Sequence, residues 1–149
     1  MSKFWMYLRE KFINYYSPLW GAGIHARTID ERTIRVKMRL TLLNRNIVGV
    51  HFGGSLYAMC DPWFMLILMR ALGDDYIVWD KAASIKFIKP GRSSVTATFH
   101  IPQEQVNEIL NATADGEKYL PTFTVDVLDE EGQVVAQVEK LLYVKKKNS

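Results

Sequence analysis

A chain of 149 residues is long enough for one domain and too short for two ordinary ones, and its 48% hydrophobic, 12% aromatic composition excludes intrinsic disorder. The net charge is only +3, with the excess gathered at Lys145, Lys146 and Lys147, so nucleic-acid binding is not indicated. The single cysteine, Cys60, rules out an internal disulfide, and no Cys/His cluster offers a metal a ligand set; a reducing cytoplasm is the expected compartment.

Phe4, Trp5, Leu8, Phe12, Ile13 and Tyr16 recur at three- and four-residue steps, which predicts an amphipathic helix stopped at Ser17-Pro18 that lids the domain. Arg9, Glu10 and Lys11 interrupt it before a signal-peptide core develops, and its aromatic face is expected on the protein core rather than on a membrane. Two alternating strands follow at residues 24–29 and 33–40, joined by a tight turn at Asp30-Glu31-Arg32. In the second, Ile34, Val36, Met38 and Leu40 face one way and Arg35, Lys37 and Arg39 the other, so one face of the sheet is wet.

Residues 46–72 form the centre of the chain, a glycine-rich entrance running into a long apolar segment that carries one acid, Asp61. With Asp61, Pro62 and Arg70 inside it, a membrane span is costly, about 3 kcal/mol for a central acid alone, and a core helix is expected. Gly73-Asp74-Asp75 stops that helix, and a long strand is expected at 76–88, ending in a turn at Pro90-Gly91. A strand at 94–101 and a short surface helix at 103–114 begun by Pro102 come next. Strands at 122–128 and 134–144, joined by Asp129-Glu130-Glu131-Gly132, close the domain ahead of a frayed basic tail at 145–149. With no repeat and no linker, residues 1–149 read as a single α+β domain, a curved antiparallel sheet around a central apolar helix, with edges that favour a dimer.

These residues resemble the hotdog-fold acyl-CoA thioesterases, in particular the phenylacetyl-CoA thioesterase-like branch, whose entrance reads N-x-x-G-x-x-H-G-G with a catalytic acid seven residues after the second glycine. Asn46, Gly49, Gly53, Gly54 and Asp61 keep that spacing, and the resemblance extends over nearly the whole chain in element order. Residues 84–91 resemble the family's strand that ends in a proline turn. A gap-free alignment sets Phe52 where the family has histidine and His51 one residue early; a one-residue bulge would restore His51. The chain is also similar to a poorly characterised group of hotdog proteins described only as thioesterases.

The resemblance implies hydrolysis of acyl-CoA or acyl-carrier-protein thioesters, with coenzyme A or phosphopantetheine as part of the substrate and no separate cofactor. Asp61 is the expected base or nucleophile, the amide of Gly54 or Ser55 the oxyanion donor, with Gly53 leaving room for the thioester. Asn46 would orient water or brace the loop, and His51 is the candidate histidine. Phe52 and Tyr57 are expected to line the substrate groove, with CoA phosphates near some of Lys86, Lys89 and Arg92. Gly54 and Asp61, seven residues apart, would lie about 10 Å apart along one helix, too far for one carbonyl. The spacing therefore predicts a site shared across a two-fold axis in a homodimer, with a dimer of dimers left open.

Other readings stay open beside it. Asp61-Pro62 is also a helix-start signal, with Asp61 as a structural cap. Cys60 is expected as an inert buried thiol, His25 and His100 as ordinary sheet residues, and Trp63, Phe64, Met65, Leu66 and Leu68 as core, some available to an acyl pocket. A non-catalytic acyl-thioester or lipid-binding hotdog dimer is the second functional expectation, and a hydratase of the same fold the third.

Overall fold

The computed structural model describes residues 12–147, so most of the expected N-terminal helix, residues 1–11, lies outside the described residues. Phe12 and Ile13 are helical, and that helix ends in a turn ahead of Ser17-Pro18, which open a further short helix, α1 (Ser17–Gly21). Proline suits this place because the first-turn N–H it lacks has no helical partner anyway.

Six strands follow the expected order: β1 (Ile24–Asp30), β2 (Thr33–Met38), β3 (Tyr76–Phe87), β4 (Val95–His100), β5 (Thr122–Leu128) and β6 (Val134–Lys146). They form one antiparallel sheet in the order β1-β2-β4-β5-β6-β3. The alternation read in β2 and β4 is realised, with Ile34, Val36, Met38, Val95, Ala97 and Phe99 all turned into the core. The basic tail is a departure from expectation. Lys145 and Lys146 extend β6 opposite Ile77 and Tyr76, and the Lys147 amide donates to the Asp75 carbonyl at 2.8 Å, because β3 is long enough to pair them.

The sheet curves round the central apolar element, which runs from Gly53 to Leu72. It carries a break at the Asp61-Pro62 helix-start signal, the alternative to one continuous helix. Helix α2 (Gly53–Ala58) ends, and α3 (Trp63–Leu72) begins after a bend at residues 59–62. Pro62 has no N–H for the carbonyl of Ala58, and its ring disfavours helical geometry at Asp61. The orphaned carbonyl of Met59 is satisfied by the indole Nε1 of Trp63 at 2.6 Å. Helix α3 then buries Trp63, Phe64, Ile67, Leu68 and Leu72, each large side chain contributing about 1.5–3 kcal/mol. Phe64 stacks on Phe123 and meets Phe99 edge-on, tying the helix to β4 and β5. Helix α4 (Gln103–Ala112) packs beside α3 through Val106 and Ile109.

The two sheet edges differ. Along β1, Asn14 both donates to and accepts from the backbone of Ala26, at 3.1 and 2.8 Å. The outer edge of β3 has no pairing strand among the described residues, and Trp79, Phe87 and Ile88 are exposed there.

Candidate active site

The entrance loop is held by polar side chains. Asn46 Oδ1 accepts from the amides of Val48 and Val50 at 3.1 and 3.2 Å, so this side chain braces the loop. Buried Asn44, which the motif did not single out, binds the carbonyls of Ala22 and Arg39 and ties the loop to the strands behind it. His51 is buried and turned toward the loop after Gly91, its Nε2 donating to the Ser93 carbonyl at 2.8 Å. That bond leaves Nδ1 a buried acceptor without a partner. Burial lowers the pKa of His51 and the Ser93 carbonyl offsets this only in part, so the ring is held neutral.

Phe52 is exposed and occupies the N-cap position of α2 without capping it. Its ring packs on Gly54, where an added Cβ would stand 2.5 Å from Cε1, and the ring of Phe87 likewise covers Gly53 at 3.0 Å. The glycines thus make room for aromatic rings as well as for any ligand. The amide of Ser55 is consumed by the carbonyl of Phe52 at 3.0 Å, which leaves Gly54 as the oxyanion candidate of that pair.

Asp61 sits in the break between α2 and α3, where it caps neither helix: Pro62 occupies the N-cap position of α3, with no side-chain cap bond. Its Oδ1 accepts instead from the Tyr57 hydroxyl at 2.8 Å and from Lys140 Nζ at 3.0 Å. The Asp61 side chain is half-exposed, and Oδ2 carries no hydrogen bond among the described residues.

Lys140 is fully buried on the inward face of β6, between Val138 and Leu142. Besides Asp61 it pairs with Asp80 Oδ2 at 3.2 Å, touches the Tyr57 hydroxyl at 3.3 Å, and lies 5.4 Å above the Tyr57 ring centroid. Burial alone would lower its pKa, but the bond and charge of Asp61, then of Asp80, outweigh that and raise it. Asp80 is aimed inward next to a β-bulge at Lys81, and burial raises its carboxyl with Lys140 offsetting only part. Burial, then the bond to Asp61, raises the Tyr57 phenol, and burial pushes the Cys60 thiol up to about 12, which keeps it inert.

Asp61 borders a largely apolar groove of about 690 Å³ lined on one side by Phe12, Ile13 and Leu19 and on the other by Met65 and Leu66, within the usual range for a small-molecule site. Tyr57 also faces it, whereas Trp63, Phe64 and Leu68 are core. The basic residues stand apart from the groove's lining. Lys89 is engaged with Asp129 and Gln133 across the β5–β6 turn, whereas Lys86 and Arg92 are exposed.

The structure therefore brings Tyr57 and Asp61 together, four residues apart, and sets His51 and Asn46 in separate hydrogen-bond systems. It adds Lys140 and Asp80, which motif spacing missed. A signal existed for Lys140: it falls on the same parity as Val138, Leu142 and Val144, and a charge on the apolar face of a strand needs a buried counter-charge.

Among solved structures, a Pseudomonas aeruginosa protein, PA5026, described as of unknown function and a probable thioesterase, matches 95% of this chain and 95% of its own at 17% identity and a TM-score of 0.82. The thioesterase HI1161 from Haemophilus influenzae matches 93% of this chain and 89% of its own at 18% identity and a TM-score of 0.69. The Escherichia coli PaaI protein from the phenylacetic acid degradation operon matches 97% and 94% at 16% identity, with a TM-score of 0.63. No curated protein sequence matches. The fold is the hotdog fold, as the sequence resemblance implied. Residues 7–144 match the family described as a domain of unknown function, DUF4442, and the chain belongs to that family.

Proposed function

We propose that the protein hydrolyses acyl thioesters, with the acyl chain in the apolar groove and Asp61 as the reacting carboxylate. The observation that carries this reading is the half-exposed Asp61 at the edge of that groove, with Oδ1 anchored by Tyr57 and Lys140 and Oδ2 left open. Water bound at Oδ2 gives a proton to the carboxylate as its oxygen bonds to the acyl carbon. The C–S bond then breaks, the proton on Asp61 passes to the departing sulfur, and a carboxylic acid and a free thiol leave.

The seven-residue separation of Gly54 and Asp61 is the reason the amide of Gly54 from a second subunit is taken as the oxyanion donor in this proposal. The outer edge of β3, unpaired among the described residues, supports such a homodimer, since a strand of 12 residues at a sheet edge is able to pair with its own copy. Lys86 and Arg92 are the residues left to meet the phosphates of coenzyme A, and the cytoplasm suits a chain whose one thiol is buried and unpaired.

A panel of acyl-CoA substrates of increasing chain length tests the reading: the purified protein releases thiol, and Asp61→Asn loses nearly all of the rate. An unchanged rate in Asp61→Asn would overturn it. The second reading, an acyl-thioester-binding dimer without turnover, is favoured by Phe52 in place of the family histidine, and tight acyl-CoA binding with no thiol release in either protein would decide for it.

A further inference from the structure

A wholly buried lysine is uncommon, and Lys140 has three donors for three acceptors: Tyr57 Oη, Asp61 Oδ1 and Asp80 Oδ2. An ammonium on three fixed acceptors cannot swivel, so it fixes whatever it holds. Of the two acids it holds, only Asp61 lines the groove, being half-exposed, whereas the Asp80 side chain is a quarter exposed and its Oδ1 is buried without a partner.

Resting on the reading that Asp61 is the reacting carboxylate, we infer that Lys140 is its positioning residue and Asp80 the standing counter-ion of Lys140. Lys140 binds Asp61 through Oδ1 alone, which leaves Oδ2 free to face the groove and the water. When Asp61 takes the proton from water its charge is lost, and a lysine paired with Asp61 only would be left as an uncompensated buried cation. Asp80 removes that penalty, because it stays bound to Lys140 through the step. The proton goes to Asp61 and on to the thiolate, so neither Lys140 nor Asp80 changes protonation. The remaining titratable groups facing Lys140 are Tyr57 and Cys60, both held in the neutral form by burial.

The arrangement makes opposite predictions for the two partners. Lys140→Met removes the positive charge beside Asp61, so the acidic limb of kcat/KM moves to higher pH by about one unit or more, and kcat at neutral pH falls at least about tenfold with little change in KM. Asp80→Asn removes a negative charge from the cluster and leaves Lys140 on Asp61, so the limb moves to lower pH. Lys140→Arg restores part of the rate. Because Lys140→Met takes the shared counter-charge from Asp61 and Asp80, the double variant Lys140→Met/Asp80→Asn is measured beside it, with circular dichroism to establish folding; its limb lies between those of the two single variants. Folded variants whose limbs all coincide with that of an active wild-type protein would overturn this inference alone. A wild-type protein without turnover on any acyl-CoA would overturn the hydrolase reading and this one with it.

Discussion

Lys140 Nζ lies 3.0 Å from Asp61 Oδ1, which joins the least exposed cation of the described chain to the acid in the break of the central helix. The pair spans 79 residues of sequence and depends on both the Pro62 break and the inward parity of β6. Removing Lys140 takes the shared counter-charge from Asp80, whose Oδ1 is already buried without a partner, and from the half-exposed Asp61. Lys140→Met should therefore lower the denaturant midpoint sharply, and combining it with Asp80→Asn should return much of the loss. Equal stability of Lys140→Met and the parent in urea titration would contradict the burial argument.

Tyr57 donates to the same carboxylate oxygen as Lys140. A hydrogen bond to a charged group contributes about 1.5–3 kcal/mol, so Tyr57→Phe should reduce kcat about ten- to a hundredfold while Lys140 retains the Asp61 position. Steady-state kinetics on one acyl-CoA checks this, with fluorescence-detected unfolding as the control for stability.

The groove makes a specificity prediction. Met65 and Leu66 line it while Trp63, Phe64, Ile67, Leu68 and Leu72 of the same helix are buried in the core. Leu66→Trp should fill its interior and raise KM for long acyl chains while leaving short ones near the parental value. A uniform change across chain lengths would place the acyl group elsewhere.

His51 should make stability depend on pH. Its folded pKa lies below the ordinary 6.5, so at pH values between the two the unfolded chain carries a proton that the folded chain does not. Stability then rises with pH through that window, is fully present above about 6.5, and is lost as the pH falls toward the folded value. Melting temperatures measured from pH 5 to pH 8 should show this slope, and His51→Gln should flatten it.

The β3 edge should carry the assembly. Light scattering is expected to give twice the chain mass, and Ile88→Asp, at an exposed apolar position beside the end of β3, should shift the species toward monomer. Loss of thioester hydrolysis in parallel with dissociation would mark a site shared between subunits; a fully active monomer would not.

Much of the fold was legible in residue order, because strand alternation and turn chemistry are local. Ile34, Val36 and Met38 alternate with charges, and Asp129 turns the β5–β6 hairpin by accepting from the amides of Glu131 and Gln133. The resemblance at Asn46, Gly53, Gly54 and Asp61 led to the right fold family for the same reason: an entrance loop and a helix start are short-range features. The basic tail was misread because pairing with β3 is a long-range property, absent from a run of lysines.

The site was legible only in part. Local sequence determined that an acid would stand in an apolar element and that Tyr57 would sit four residues before it. Its chemical surroundings came from packing. Pro62 breaks the helix so that Asp61 leaves the helical surface, the bulge at Lys81 keeps Asp80 inward, and β6 brings Lys140 up to both. Those three residues come from elements far apart in sequence, and a buried charge can be interpreted only when the sheet has closed over it and its counter-charges are known.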